Sequence, residues 1–110
     1  MSLYSVEIDG EKIKNYNDFI SEMQMKFKFP RDCQGYVDRY LDWMRDLSWI
    51  KADKIKITVR NVSHFMVNNP ADRKEALQDL YEIILPFWKL EADKVIVGGK
   101  KRDFTLSLIN

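Results

Sequence analysis

Apolar residues recur at two different spacings in this chain. Over "LYSVEI" (3–8) and again over "KIKITVRNV" (54–62) they alternate with polar ones and include β-branched types, so both stretches predict strands. In the second, Ile55, Ile57 and Val59 share one face, and Lys54, Lys56 and Thr58 the other. Between them the spacing changes to three and four. Asp9-Gly10 reads as a turn, Asn15 or Asn17 can cap a helix, and Phe19, Ile20, Met23 and Phe27 form its buried stripe. Pro30 cannot continue that helix. A second helix opens near Gly35 and runs to about Leu47 or Trp49. After the connector "HFMVNNPAD", Pro70 suits the first position of a third helix, with Asp72 and Glu75 near the positive end of its dipole. Ala76, Leu77, Leu80, Ile83, Ile84, Phe87 and Trp88 continue it. Pro86 falls inside that stripe and predicts a kink or an early end. The stretch "KVIVGGKKRDFTLSLIN" carries two short strand signals about Gly98-Gly99, an antiparallel hairpin whose basic tip, Lys100, Lys101 and Arg102, should face solvent.

The resulting order is strand, helix, helix, strand, helix, strand, strand. Strands joined by helical crossovers run parallel, so the fold class is α/β: a small, mainly parallel three-stranded sheet packed with helices, with an extra antiparallel strand in the last hairpin. A chain of 110 residues fits one domain spanning residues 1–110. Its formal charge of +1 argues against the strongly basic surface of a general nucleic-acid binder. The lone cysteine excludes an internal disulfide and fits a reducing, cytoplasmic setting. The first residues lack a secretory-signal pattern, and the longest apolar stretch, "IILPF", is too short to cross a bilayer.

Catalytic constellations are scarce. His64 is the only histidine, so it would have to serve as the base of any triad. It lies among apolar residues and reads as a partly buried connector histidine. Cys33 reads as a small buried filler. Two Cys or His residues in all cannot supply a structural zinc site. "VGGKKRD" lacks the spacing of a phosphate-binding loop. We therefore expect no enzyme activity, no metal and no cofactor.

The second helix holds the remaining chemistry. At about 100° per residue, Val37, Tyr40, Leu41, Met44 and Leu47 form its apolar stripe, and Asp38, Asp42, Arg45 and Asp46 fall opposite. Asp38 and Asp42, four apart, project from one face. Periodicity alone leaves two readings, a solvated surface or a general acid–base pair, and an exposed helix face supplies neither the cleft nor the shifted pKa values that the second needs.

The residues also resemble a known family. "VEIDGEKIKNYNDFISEM", the "FP" that follows, "GYVDRYLDWM", "KIKITVRNVSHFM", "EALQDLYEI" and "DFTLSLI" are similar, in order and over nearly the whole chain, to the barstar family of intracellular ribonuclease inhibitors. The family pattern around the second helix is roughly Leu-Pro, aromatic residues, a glycine, then Asn-x-Asp-Ala-Leu-x-Asp. Asp38 and Asp42 match its two aspartates, while Tyr36, Gly35 and Leu41 depart from it. The resemblance implies a barstar-like domain that acts by binding a ribonuclease or nuclease toxin, monomeric when free and with no direct nucleic-acid or membrane partner. It implies that Asp38 and Asp42 stand in for RNA phosphates, with Asp32, Gly35, Tyr36, Asp46 and Glu82 completing the contact. The alternative is a module of the same fold with a non-nuclease protein partner.

Overall fold

The computed structural model describes residues 2–95 and 100–110. Strand β1 (Leu3–Asp9) leads through a single 3₁₀ turn into helix α1 (Tyr16–Lys26), then α2 (Val37–Met44), strand β2 (Lys54–Arg60), helix α3 (Pro70–Gln78) with its extensions, and strand β3 (Asp103–Leu108). The three strands form one sheet in the order β1-β2-β3. Leu3 pairs with Lys54 and Lys54 with Asp103, and both pairings run parallel. This agrees with the parallel arrangement read from the helical crossovers. Of the expected hairpin, residues 96–99, including the Gly98-Gly99 turn, lie outside the described residues. Its second strand is β3, which joins the sheet parallel to β2.

Only one face of the sheet is buried. Val6, Ile8, Ile55, Ile57, Val59 and Phe104 point into the core, while Ser5, Glu7, Lys54, Lys56, Arg60, Asp103 and Thr105 between them are exposed. A parallel sheet is usually covered on both faces and reads as continuous apolar runs. Here the alternation in β1 and β2 matches a sheet with a single covered side. The core adds Phe19, Ile20 and Met23 of α1, Tyr40 and Met44 of α2, and Ala76, Leu80, Ile84, Phe87 and Trp88 of the last helix. Phe19 sits at the aromatic centre, with ring centroids of Tyr40 at 5.8 Å and Phe65 at 5.6 Å, both edge-on.

The local signals act as their chemistry dictates. Asn15 caps α1, its side-chain oxygen accepting from the Asp18 backbone N–H at 2.8 Å. At Gly10 there is no space for a side chain, since a Cβ would meet the backbone carbonyls of Asn61 at 2.7 Å and Arg60 at 2.8 Å. Arg73 ties the β2–α3 connector down by donating to the carbonyls of Val62 and Phe65.

Two expectations need correction. The last helix does not end at Pro86: helical residues continue from 70 to 95, with π-helical segments at Asp79–Ile84 and Phe87–Glu91 and a final turn at Ala92–Val95. A wider turn closes its bonds five residues back, and such segments accommodate what a regular helix resists, including a proline without an N–H. Helix α2 is also shorter than its apolar stripe suggests. It stops at Met44, and Leu47 takes a left-handed φ of 46°.

Candidate functional site

The loop before α2 is built by short-range bonds. The Cys33 N–H donates to Gln24 Oε1 at 2.6 Å, and Asp32 Oδ1 accepts from the Gln34 N–H at 2.7 Å. Gln34 and Gly35 then both adopt positive φ, 53° and 76°, and the Tyr36 N–H donates to the Cys33 carbonyl at 3.0 Å. A four-residue turn with two left-handed central residues favours glycine at one of them. Cys33 is fully buried, as expected of a filler, and burial pushes its thiol pKa up. His64, by contrast, is exposed on the 3₁₀ turn Val62–His64 rather than partly buried, because Phe65 and Met66 fill the core there instead.

Helix α2 presents the face that its spacing predicts. Tyr40 and Met44 are fully buried and Val37 and Leu41 pack against the core. Asp38 and Asp42 are exposed. Asp38 lies in the first turn, where a carboxylate is favoured by about 0.3–1 kcal/mol. Asp42 is 76 % exposed and pairs with Arg45 at 3.2 Å. Asp46, half-buried, accepts from the Ser48 N–H at 3.1 Å and so shapes the turn after the helix. Tyr36 is 60 % exposed, with the Arg39 guanidinium 4.9 Å from its ring centroid.

The C-terminal end of α2 is held from outside. Trp88 Nε1 donates to the Met44 carbonyl at 2.8 Å and Arg102 Nη2 to the Leu47 carbonyl at 2.9 Å. The Arg102 guanidinium also lies 4.7 Å from the Trp88 ring centroid, and burial pulls its pKa down. Lys100 and Lys101 are exposed as expected, but Arg102 is a partly buried strut rather than part of a solvated tip.

Arg31, Asp32, Gln34, Arg39, Asp42, Trp43 and Asp46 line one shallow depression of about 610 Å³. Of the residues singled out from sequence it gathers Asp32, Asp42 and Asp46. Asp38, Gly35 and Tyr36 lie beside it on α2 and its loop, and Glu82 is exposed on the π-helical segment that packs against α2. Sequence reasoning passed over Arg31, Gln34, Arg39 and Trp43. The signal for Arg39 was present, since it sits three residues before Asp42 and on the same side of the helix. Behind the face, the Tyr16 hydroxyl donates to Asp79. Burial raises the Asp79 pKa, the Tyr16 bond opposes that rise, and Glu82 adds to it. Among the described residues, no cluster of three or more His, Cys, Asp or Glu could hold a metal ion, and no helix is long and apolar enough to cross a membrane.

Residues 3–106 match the family model for barstar, the barnase inhibitor. The chain belongs to the barstar family. No curated protein and no solved structure matches it. The barstar match begins at the first residue of β1 and ends inside β3, so it takes in β1, β2, every helix described and the first four residues of β3.

Proposed function

We propose that the protein inhibits a ribonuclease by presenting α2 and the loop before it to the enzyme's cationic cleft. Asp38 and Asp42 stand where substrate phosphates would, each meeting arginine or lysine side chains. One observation supports this above the others: in a chain of the barstar family, two exposed carboxylates sit one turn apart on a helix whose opposite face packs into the core, with Tyr40 and Met44 fully buried. Asp32 and Asp46, which share a depression with Asp42, complete the contact together with Gly35 and Tyr36 before the helix and Glu82 on the segment packed against it. The Arg45–Asp42 pair is no obstacle, because a half-exposed pair of this kind contributes about 0–1 kcal/mol and exchanges readily for a better partner. The protein works as a single intracellular domain, monomeric when free, without cofactor or chemistry of its own.

The test is inhibition of RNA cleavage by purified barnase, with wild type, Asp38→Ala and Asp42→Ala compared at low and high salt. Each alanine should weaken inhibition by roughly 2–5 kcal/mol, a scale that rests partly on barstar's own complex. Asp42→Lys should be worse than alanine, and binding should slow as salt rises. If both alanine variants bind as tightly as wild type, α2 is not the inhibitory face, and a barstar-fold module with a different protein partner takes its place.

A further inference from the structure

The face of α2 is not uniformly acidic. Between positions 31 and 46 the chain carries four aspartates and three arginines. Arg45 is accounted for by its ion pair with Asp42. Arg39, which follows Asp38 directly, is not paired with any carboxylate among the described residues. Two uncharged groups hold it instead. Its Nη1 donates to Gln34 Oε1 at 2.9 Å, and its guanidinium lies over the exposed Tyr36 ring. Gln34 is itself fixed by the left-handed turn and by Asp32.

A guanidinium fork held in place by neutral neighbours, with most of its five donors free, is suited to an acceptor that presents two oxygens side by side. Carboxylate and phosphate both do so. The setting separates them. A phosphate arriving at Arg39 would enter a depression in which Asp32, Asp42 and Asp46 outnumber Arg31 and Arg39, with Asp38 beside it, and the excess of like charge opposes it. A carboxylate carries less charge than a phosphate, and where the protein that carries it also brings cations to Asp38 and Asp42, those cations offset the repulsion.

We infer that Arg39 engages a carboxylate in the partner's site, so that the surface complementary to α2 alternates cation, acid, cation. This inference rests on the reading of α2 as the inhibitory face. It also narrows the partner. A ribonuclease that cleaves by general acid–base chemistry can place a carboxylate base among its phosphate-binding cations. Against such a site Arg39 covers the base while the two aspartates occupy the phosphate positions. A cleft built from cations alone would be repelled by Arg39 and disfavoured as a partner.

The experiment uses purified barnase as the probe, with inhibition constants for wild type, Arg39→Ala, Arg39→Glu, Gln34→Ala and Asp42→Ala. Urea unfolding of each variant verifies that it is folded. Arg39→Ala should weaken inhibition by about 30-fold or more, the scale for removing one member of a desolvated charge pair. Arg39→Glu should be weaker still. Gln34→Ala, which frees the guanidinium without removing it, should lose less than Arg39→Ala. Equal losses for Gln34→Ala and Arg39→Ala would make Arg39 a loop brace and overturn the inference. So would unchanged or tighter inhibition by Arg39→Ala alongside weakened Asp42→Ala, and in that case the reading of α2 survives without it. If wild type does not inhibit, or Asp42→Ala is as tight as wild type, the reading of α2 fails and the inference goes with it.

Discussion

Tyr40 and Tyr16 lie in one aromatic cluster, with ring centroids 6.3 Å apart, yet the loss of their hydroxyls should have opposite effects. The Tyr40 hydroxyl is buried with no hydrogen-bond partner among the described residues, while the Tyr16 hydroxyl donates to the Asp79 carboxylate. Tyr40→Phe keeps the ring and its edge-on contacts with Phe19 and Tyr16. A buried, unpaired hydroxyl costs about 1–3 kcal/mol by mutational measures. The void left by one oxygen, about 10–15 Å³, returns only about 0.3 kcal/mol at ~24 cal/mol per Å³. Tyr40→Phe should therefore stabilise the fold by roughly 1–2 kcal/mol. Tyr16→Phe strips a partly buried carboxylate of its donor and should destabilise by about 1.5–3 kcal/mol. Urea unfolding followed by tryptophan fluorescence should show the two midpoints moving apart from wild type in opposite directions, with unchanged slopes. A Tyr40→Phe variant that loses more than about 1 kcal/mol would refute the reasoning, because its hydroxyl must then be satisfied.

Three further outcomes are expected. Because burial raises the Asp79 pKa, the folded protein holds that proton to higher pH than the unfolded chain, so this group's contribution to stability falls as pH climbs from about 4 through the raised value. Asp79→Asn should remove that slope, and unfolding free energies measured across this range should show a flatter profile than wild type. Gly10→Ala should destabilise more than Gly35→Ala in thermal melts: the first drives a Cβ into two backbone carbonyls that cannot yield, whereas the second meets only the end of the Asn17 side chain and bears about 1–2 kcal/mol of left-handed strain. His64→Ala, at an exposed position, should shift stability by less than about 0.5 kcal/mol in urea titrations.

Much of the fold was legible because local rules and tertiary structure agree. The alternation of Ile55, Ile57 and Val59 and the cap at Asn15 both survive in the structure, and the two aspartates of α2 emerge on the exposed face. The end of α2 and the place of Arg102 were misread for one cause, which is long-range contact. Nothing near Leu47 in sequence says that its carbonyl is taken by Arg102, 55 positions away, so the end of α2 could not be read from its own stripe. The same contact removes Arg102 from the expected basic tip. The Tyr16–Asp79 bond spans 63 positions, and the placement of Arg39 over Tyr36 depends on the turn at Gln34 and Gly35. Charge signs were visible in the sequence, but which charges are already satisfied was not.

Helix α2 has eight residues, fewer than an isolated helix needs to persist in water. Its shape therefore depends on the bonds from Trp88 and Arg102 at one end and the turn anchored by Gln24 at the other. A surface clamped in this way is already formed in the free protein. On the proposed reading of α2, an approaching partner has no helix to order, and the entropy of doing so does not enter the affinity. Encounter then proceeds without a folding step, and differences among related partners fall mainly on how long the complex lasts rather than on how fast it forms.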